Sequence, residues 1–475
     1  MSTNDGAPGT SHPLSIIALG RSSFVFALGG LAYKGVALVA VPVLARLLSP
    51  AEVGLLDLAA VLASIVGLTA MVGSEQGVAY LEPRTDRADR LWGSALAAIG
   101  IVAGILAAAA LLFRAPLAEL LTGSADNGFL IVAAALYGAV LSVTATALNA
   151  VRLHGTPRAY AISSFVIVTA EMAAAIAVAL LVAAPVVWIV LAWAGAALLV
   201  AIPVLARFVP VPSRPHVPTM RLLVTFGGPL VPAAIVWLVG DAWIRSALAR
   251  DADLIALGEY GIASRIGSVV GLAVSGFSLA WHPYIYRSPS GEVAARASNA
   301  FANVILGLAI VGVVLTGLAP EAIAIMAGER YAGARDAVPG LVGGTVALGG
   351  FVFLSAVASA SGSSRSIAGA AILGVAVQIV AAPVLVGTWA LSGAAYASLV
   401  GYIVAAAALS VGQRSLLSGR PGAATLLALV TATAGLAGAA AVIGWPLEVR
   451  LTLIAGIVLL AGAVAIASRA IRSRG

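Results

Sequence analysis

The chain contains no cysteine, which excludes disulfides and thiolate metal sites. Charged residues make up only 9% of it, against about a quarter in a soluble domain. So little charge cannot cover a surface that faces water. Long polar loops are also missing, which leaves nowhere to build a carboxylate-bearing catalytic domain, and an enzyme is not expected. No Lys/Arg-rich stripe alternates with aromatics, which argues against nucleic acid. The four histidines make no ligand set. His12, His154 and His216 fall in the tail and in turns, and His282 falls near a helix end. Neither a metal nor an organic cofactor is expected.

What the chain has in abundance is apolar. Hydrophobic residues make up 61% and the mean hydropathy is +1.08. Lipid is therefore its principal solvent. A span needs about 20 apolar residues, and the sequence divides into about fourteen such stretches. The expected fold class is an all-α polytopic membrane protein with two pseudo-symmetric lobes.

The duplication rests on two stretches. Leu44–Gln76 and Leu248–His282 both open with Leu-Ala-Arg, cross a short acidic turn, and run into an apolar segment containing Val-Gly-Leu. Self-similarity on this scale marks a chain built from related halves. The match pairs Gly54 with Gly261, which leaves those glycines three residues out of step. The expected organisation is a disordered tail over 1–13, an N-terminal lobe over 14–208 and a Pro-rich linker over 209–220. A C-terminal lobe over 221–413 and two further spans over 414–475 follow.

Arginine placement predicts orientation. With the N-terminus cytoplasmic, Arg84, Arg87, Arg90, Arg152, Arg158, Arg207, Arg214 and Arg221 lie inside, as do the basic residues of the C-terminus. Arg46, Arg114, Arg250, Arg330, Arg335 and Arg450 lie outside, among acidic residues. Both termini are thus expected in the cytoplasm of a cell with a bacterial-type plasma membrane. Arg84, Arg87 and Arg90 have two readings: they obey topology, or they meet an anionic ligand.

Ala45-Arg46-Leu47-Leu48-Ser49-Pro50-Ala51-Glu52-Val53-Gly54-Leu55 and Gly258-Glu259-Tyr260-Gly261-Ile262-Ala263-Ser264-Arg265-Ile266, with Pro283 later, carry a family resemblance. The chain resembles the polysaccharide or O-antigen flippases of the multidrug/oligosaccharidyl-lipid/polysaccharide exporter superfamily. Val53, where an aromatic is usual, and Asp57 depart from that pattern. The resemblance implies flipping of a lipid-linked oligosaccharide on a polyprenyl pyrophosphate carrier, for cell-surface polysaccharide biosynthesis, by alternating access. It implies a wet, cationic cavity between the lobes, membrane lipid as a second partner, and a coupling proton or sodium ion. A multidrug or cation exporter and a lipid II flippase of the same superfamily are the alternatives.

Charges at membrane depth are costly and face a cavity or a partner. Lys34, Arg265 and Glu75 are headgroup candidates. Lys34 reads either as a phosphate contact or as an ion-pair partner of Asp241, and Glu75 sits in a Gly-flanked helix break. Asp57, Asp241, Arg245 and Glu171 are gate or coupling candidates. Asp57 and Arg265 either pair across the cleft or each face water. Asp241 and Arg245 are spaced for a local salt bridge. Glu171 reads as a proton or sodium site or as an acid bonded to a neighbouring hydroxyl. Pro42, Gly227, Gly228 and Pro229 are hinge candidates, because proline removes a helix hydrogen bond and glycine permits bending.

Overall fold

The computed structural model describes residues 36, 40–210, 213–228, 231–289, 292–412, 444–452 and 454–455. Lys34 and Pro229, together with most of the first and the last two expected spans, lie outside the described residues. Among the described residues every regular element is helical.

The Ser-Pro-x-Glu of the first repeat is a helix start. Ser49 caps α1 (Pro50–Met71): its hydroxyl accepts from Glu52 N at 3.3 Å, while Glu52 Oε2 accepts from Ser49 N at 2.8 Å. Pro50 occupies the first helical position, where its missing N–H costs nothing. The second repeat uses Asp253 in the same way, its side chain accepting from Ala256 N at 2.6 Å to start α10 (Leu254–Tyr286).

Between these lie α2 (Ser74–Leu81), α3 (Ala88–Leu112), α4 (Arg114–Thr122), α5 (Gly128–His154), α6 (Pro157–Leu181), α7 (Val186–Phe208), α8 (Val217–Gly227) and α9 (Val231–Asp251). After α10 come α11 (Val293–Gly317), α12 (Ala319–Met326), a 3₁₀ segment Glu329–Asp336, α13 (Val338–Ala360) and α14 (Ser364–Gly412). Eight helices among the described residues are long and apolar enough to cross a bilayer, or nine if the pair bent by 63° between Gly317 and Ala319 is one span. At 1.5 Å per residue α14 is more than twice as long as a membrane is thick. It folds back at Ala390, whose φ is 45°, and Gln378 Nε2 donates across the resulting hairpin to Ser398 O at 3.3 Å.

Buried side chains collect into two large clusters. One draws on residues 44–197, the other mainly on 244–454. Ala45 and Leu58 belong to the second cluster although they sit in the first repeat. They mark where the bundles meet.

That meeting point corrects the repeat alignment. The offset that pairs Ser49 with Asp253 as caps also pairs Gly54 with Gly258, and Val66-Gly67-Leu68 with Val270-Gly271-Leu272. Gly261 is not the partner of Gly54; it faces Asp57 instead. The two matched glycines touch. A Cβ on Gly54 would lie 2.7 Å from Gly258 N, and one on Gly258 would collide with the Pro50 carbonyl oxygen. The first turns of α1 and α10 therefore cross backbone to backbone. Arg46 Nη2 donates to Ile325 O at 2.9 Å and Arg330 Nη1 to Leu48 O at 3.2 Å at this same closed end.

At the opposite end the second expected span breaks. Val72 and Gly73 take left-handed backbone (φ 49° and 69°) between α1 and α2. The Gly73 backbone lies against Gly227, so close that a Cβ on either would strike the other. This contact docks α8 on the first bundle, while α9 packs against α1 and α14 of both bundles. The chain thus changes bundles across the Gly227–Val231 step.

Candidate functional site

Asp57 lies seven residues into α1, about 10 Å from the closed end. It is only 6% exposed. Its Oδ2 accepts from Arg245 Nε at 2.7 Å and its Oδ1 from Arg265 Nη2 at 2.9 Å. Arg245, itself 5% exposed, also pairs with Asp241 one helical turn earlier on α9. The four charges form a row, Asp241–Arg245–Asp57–Arg265, drawn from α9, α1 and α10. Both cross-bundle ion pairs converge on one carboxylate. A buried ion is tolerated only when paired and hydrogen-bonded, and here two acids meet two bases. Among the described residues the gap between the bundles is therefore charge-balanced at this row; Lys34, the other cation expected there, lies outside them.

Two cavities flank the row. The first holds ≈ 220 Å³ and is lined by Asp57, Arg265, Tyr137, Glu171 and Trp193, among others. Glu171, 1% exposed on α6, accepts from Tyr137 OH at 3.1 Å. The Tyr137 ring packs 5.5 Å from Trp193, whose buried indole N–H has no partner among the described residues. The second cavity holds ≈ 460 Å³ inside the second bundle. Asp241 and Arg245 stand at its edge, and Tyr260, Ser264, Ser268, Ser275, Thr345 and Ser398 line it.

Four hydroxyls of that second cavity share an orientation, while Tyr260 OH and Ser398 Oγ bond to each other at 3.1 Å. Ser264 donates to Gly261 O at 2.8 Å, Ser268 to Arg265 O at 2.6 Å, Ser275 to Gly271 O at 2.8 Å and Thr345 to Leu341 O at 2.9 Å. Each hydroxyl proton is thus committed to its own helix. The oxygen lone pairs remain available to hydrogen-bond donors in the cavity.

The remaining candidates lie elsewhere. Glu75 pairs with Arg152 Nη2 at 3.1 Å at the start of α2, and lines neither cavity. Pro42 is half-buried in the helical stretch 40–47. Gly227 and Gly228 end α8. The serine face of α10 was missed, although Ser264, Ser268 and Ser275 recur at helical spacing. Tyr137 and Trp193 carry no local signal of their bond to Glu171 or their place beside it, because three separate helices bring them together.

A family model described as "Polysaccharide biosynthesis protein" matches residues 19–288, more than half of the chain. No curated protein sequence matches. Among solved structures, the lipid II flippase MurJ in an inward closed conformation superposes with a TM-score of 0.70 at 12% identity, covering 94% of this chain and 99% of that one. An inward-facing multidrug resistance MATE family transporter of the MOP superfamily gives 0.59 at 16%, covering 86% and 96%. A MOP superfamily transporter from Pyrococcus furiosus, whose binding pocket is described as reversed in polarity, gives 0.55 at 14%, covering 84% and 95%. These likenesses concern the fold: a multi-helix membrane transporter architecture. Taken with the family match over both repeat helices, they make this chain a multi-pass membrane member of the polysaccharide biosynthesis protein family.

Proposed function

We propose that the protein flips a lipid-linked oligosaccharide across a bacterial-type plasma membrane, with both termini cytoplasmic and the α1–α10 crossing at the outer face. The observation that carries this reading is the hydroxyl-lined cavity beside a balanced charge row. A glycan head is rich in O–H donors, and the walls of the second bundle offer acceptors. Without such a lining, moving the head through about 30 Å of hydrocarbon is prohibitive. The lipid tail stays in the bilayer.

The same chemistry selects the cargo. An uncharged glycan matches the acceptors and leaves the charge row intact. A uronic acid brings a carboxylate beside Asp241 and finds no spare buried cation among the described residues, so there it must be desolvated unpaired. Purified protein should bind a polyprenyl-pyrophosphate glycan of neutral sugars at least about tenfold more tightly than the same glycan bearing a uronic acid, a difference of ~1.4 kcal/mol. Equal binding, measured by native mass spectrometry, would contradict this selectivity. An organic cation binding better than either glycan would favour drug export.

Arg265 is the exposed cation of the row, at 39% of its side chain against 6% for Arg245. A pyrophosphate reaching it competes with Asp57, so arrival of cargo loosens a bond that holds the bundles together. Glu171 serves as the coupling acid, in the first cavity that Arg265 also lines and apart from the hydroxyl-lined one. Glu171→Gln keeps an acceptor for Tyr137, and should abolish any dependence of flipping on an imposed proton or sodium gradient. Unchanged gradient dependence in vesicles rules that role out.

A further inference from the structure

Three arginines stand apart from the balanced row. Arg84, Arg87 and Arg90 line a cavity of ≈ 330 Å³ together with His216, Thr219 and Leu222. It lies between the turn after α2, the start of α3, and α8. Its walls come from distant parts of the chain and are held together by backbone bonds. Ser213 N donates to Asp89 O at 3.2 Å, and His216 N to Ser94 Oγ at 3.1 Å.

The arginines are held but not neutralised. Arg84 Nη1 donates to Tyr80 O at 2.6 Å, and its guanidinium lies 4.1 Å from the centre of the Tyr80 ring. Among the described residues, none of the three forms an ion pair. Glu82, close by in sequence, is engaged by Trp92 Nε1 at 2.6 Å and His154 Nε2 at 2.9 Å. Asp86 and Asp89 do not line the cavity. A solvated topological charge explains an exposed arginine. It does not explain three of them converging on one cavity without an acid.

The cavity also has an apolar edge. Tyr80 and Phe226 stack with ring centroids 4.6 Å apart, and both are exposed, as is Leu222. A cationic pocket beside exposed rings at the end of membrane helices matches a phosphate attached to an acyl or prenyl chain. Guanidinium forks suit phosphate oxygens, which they can grip by two parallel bonds.

We infer that this cavity binds the phosphate headgroup of an anionic membrane lipid, and that the bound lipid holds α8 against α2 and α3. Such a lipid bridges the first bundle and the segment that leads into the second. It would bias the rocking of one against the other. The site requires no glycan and is independent of the cargo in the central cleft. Two sources share the chemistry: a phospholipid such as phosphatidylglycerol, and a polyprenyl pyrophosphate.

The test uses full-length protein in phosphatidylcholine nanodiscs, with phosphatidylglycerol, polyprenyl pyrophosphate or free inorganic pyrophosphate added in separate arms. Native mass spectrometry reads retained lipid, and amide hydrogen exchange reads protection of residues 213–227. Retention of either lipid with slowed exchange supports the site, and the tighter of the two identifies its source. Affinity should fall about fivefold for each arginine replaced by glutamine. The exposed single substitution Arg87→Gln tests this without endangering the fold, and Arg84→Lys/Arg87→Lys/Arg90→Lys should bind more weakly than the parent but more tightly than the triple glutamine variant, because lysine keeps the charge and loses the fork. The inference is overturned if neither lipid is retained, if Arg87→Gln binds like the wild type, or if free pyrophosphate protects α8 as well as the lipids do.

Discussion

Gly258→Ala is expected to drive the protein out of the closed state. A methyl there meets the Pro50 carbonyl, a backbone atom that cannot swing aside. Overpacking a tight contact costs about 1–3 kcal/mol and sometimes more. Each 1.4 kcal/mol is tenfold in a population ratio, so the upper part of that range moves the equilibrium by roughly a hundredfold. The crossing of α1 and α10 must then part. The chain has no cysteine, so spin labels can be placed cleanly through Ala51→Cys and Ala256→Cys. Electron spin resonance should show a short inter-label distance in the parent and a longer one after Gly258→Ala. Gly276→Ala, where an added Cβ meets nothing within 4 Å, is the control and should leave the distance unchanged. A short distance in both variants would mean that the glycine contact does not hold this end shut.

The second large effect is expected at Asp57. Asp57→Asn leaves Arg245 with Asp241 as its one acid and Arg265 with none. Removing one partner of a buried ion pair costs about 3–5 kcal/mol; the Asp57–Arg245 pair qualifies, while the exposed Arg265 adds less because water screens it. The closed arrangement should lose thermal stability in detergent, and the same label pair should lengthen. Asp57→Asn and Arg265→Gln together should cost less than the sum of the two, because they share one bond. A simple charge swap of Asp57 and Arg265 should fail to restore the parent. It sets a new guanidinium against Arg245, which also contacts Asp57. Full additivity in the double mutant, or rescue by the swap, would show that the row is not a single unit.

That row shows where sequence reasoning reached and where it stopped. The helical class and the duplication were legible because composition and repeated motifs are local signals. Ser-Pro-x-Glu at Ser49–Glu52 is a capping box wherever it occurs, and the structure uses it as one. The helix break near Gly73 was legible for the same reason. The pairing of Gly54 was not, because Gly261 and Gly258 both follow the second cap and only contact with Pro50 distinguishes them. The Asp57–Arg265 and Asp241–Arg245 pairs were each among the readings considered. The bond that joins them, Asp57–Arg245, depends on how α9 leans on α1, and no spacing along the chain encodes that. The hydroxyl-lined cavity escaped because serines on a membrane helix look like ordinary polar punctuation. Only their shared face and committed protons reveal an acceptor surface.

Alternating access gives these parts one role. In the proposed cycle the glycine crossing and the charge row would close one end, the acceptor-lined cavity would receive the head, and each bundle would move as a body. Pro42 lies near the start of the helical stretch 40–47, and Gly227 and Gly228 lie at the end of α8.

The whole reading depends on two bundles passing a sugar head between them without exposing it to hydrocarbon. Proteoliposomes loaded from within with a fluorescent polyprenyl-pyrophosphate glycan measure this directly, through loss of signal to a glycosidase added outside. Wild-type protein should make the inner-leaflet glycan cleavable, and an Ala51→Cys/Ala256→Cys variant locked shut by a reducible bis-thiol crosslinker should not until a reductant is added. Equal cleavage in the locked and reduced states, or none with wild-type protein, would contradict the account.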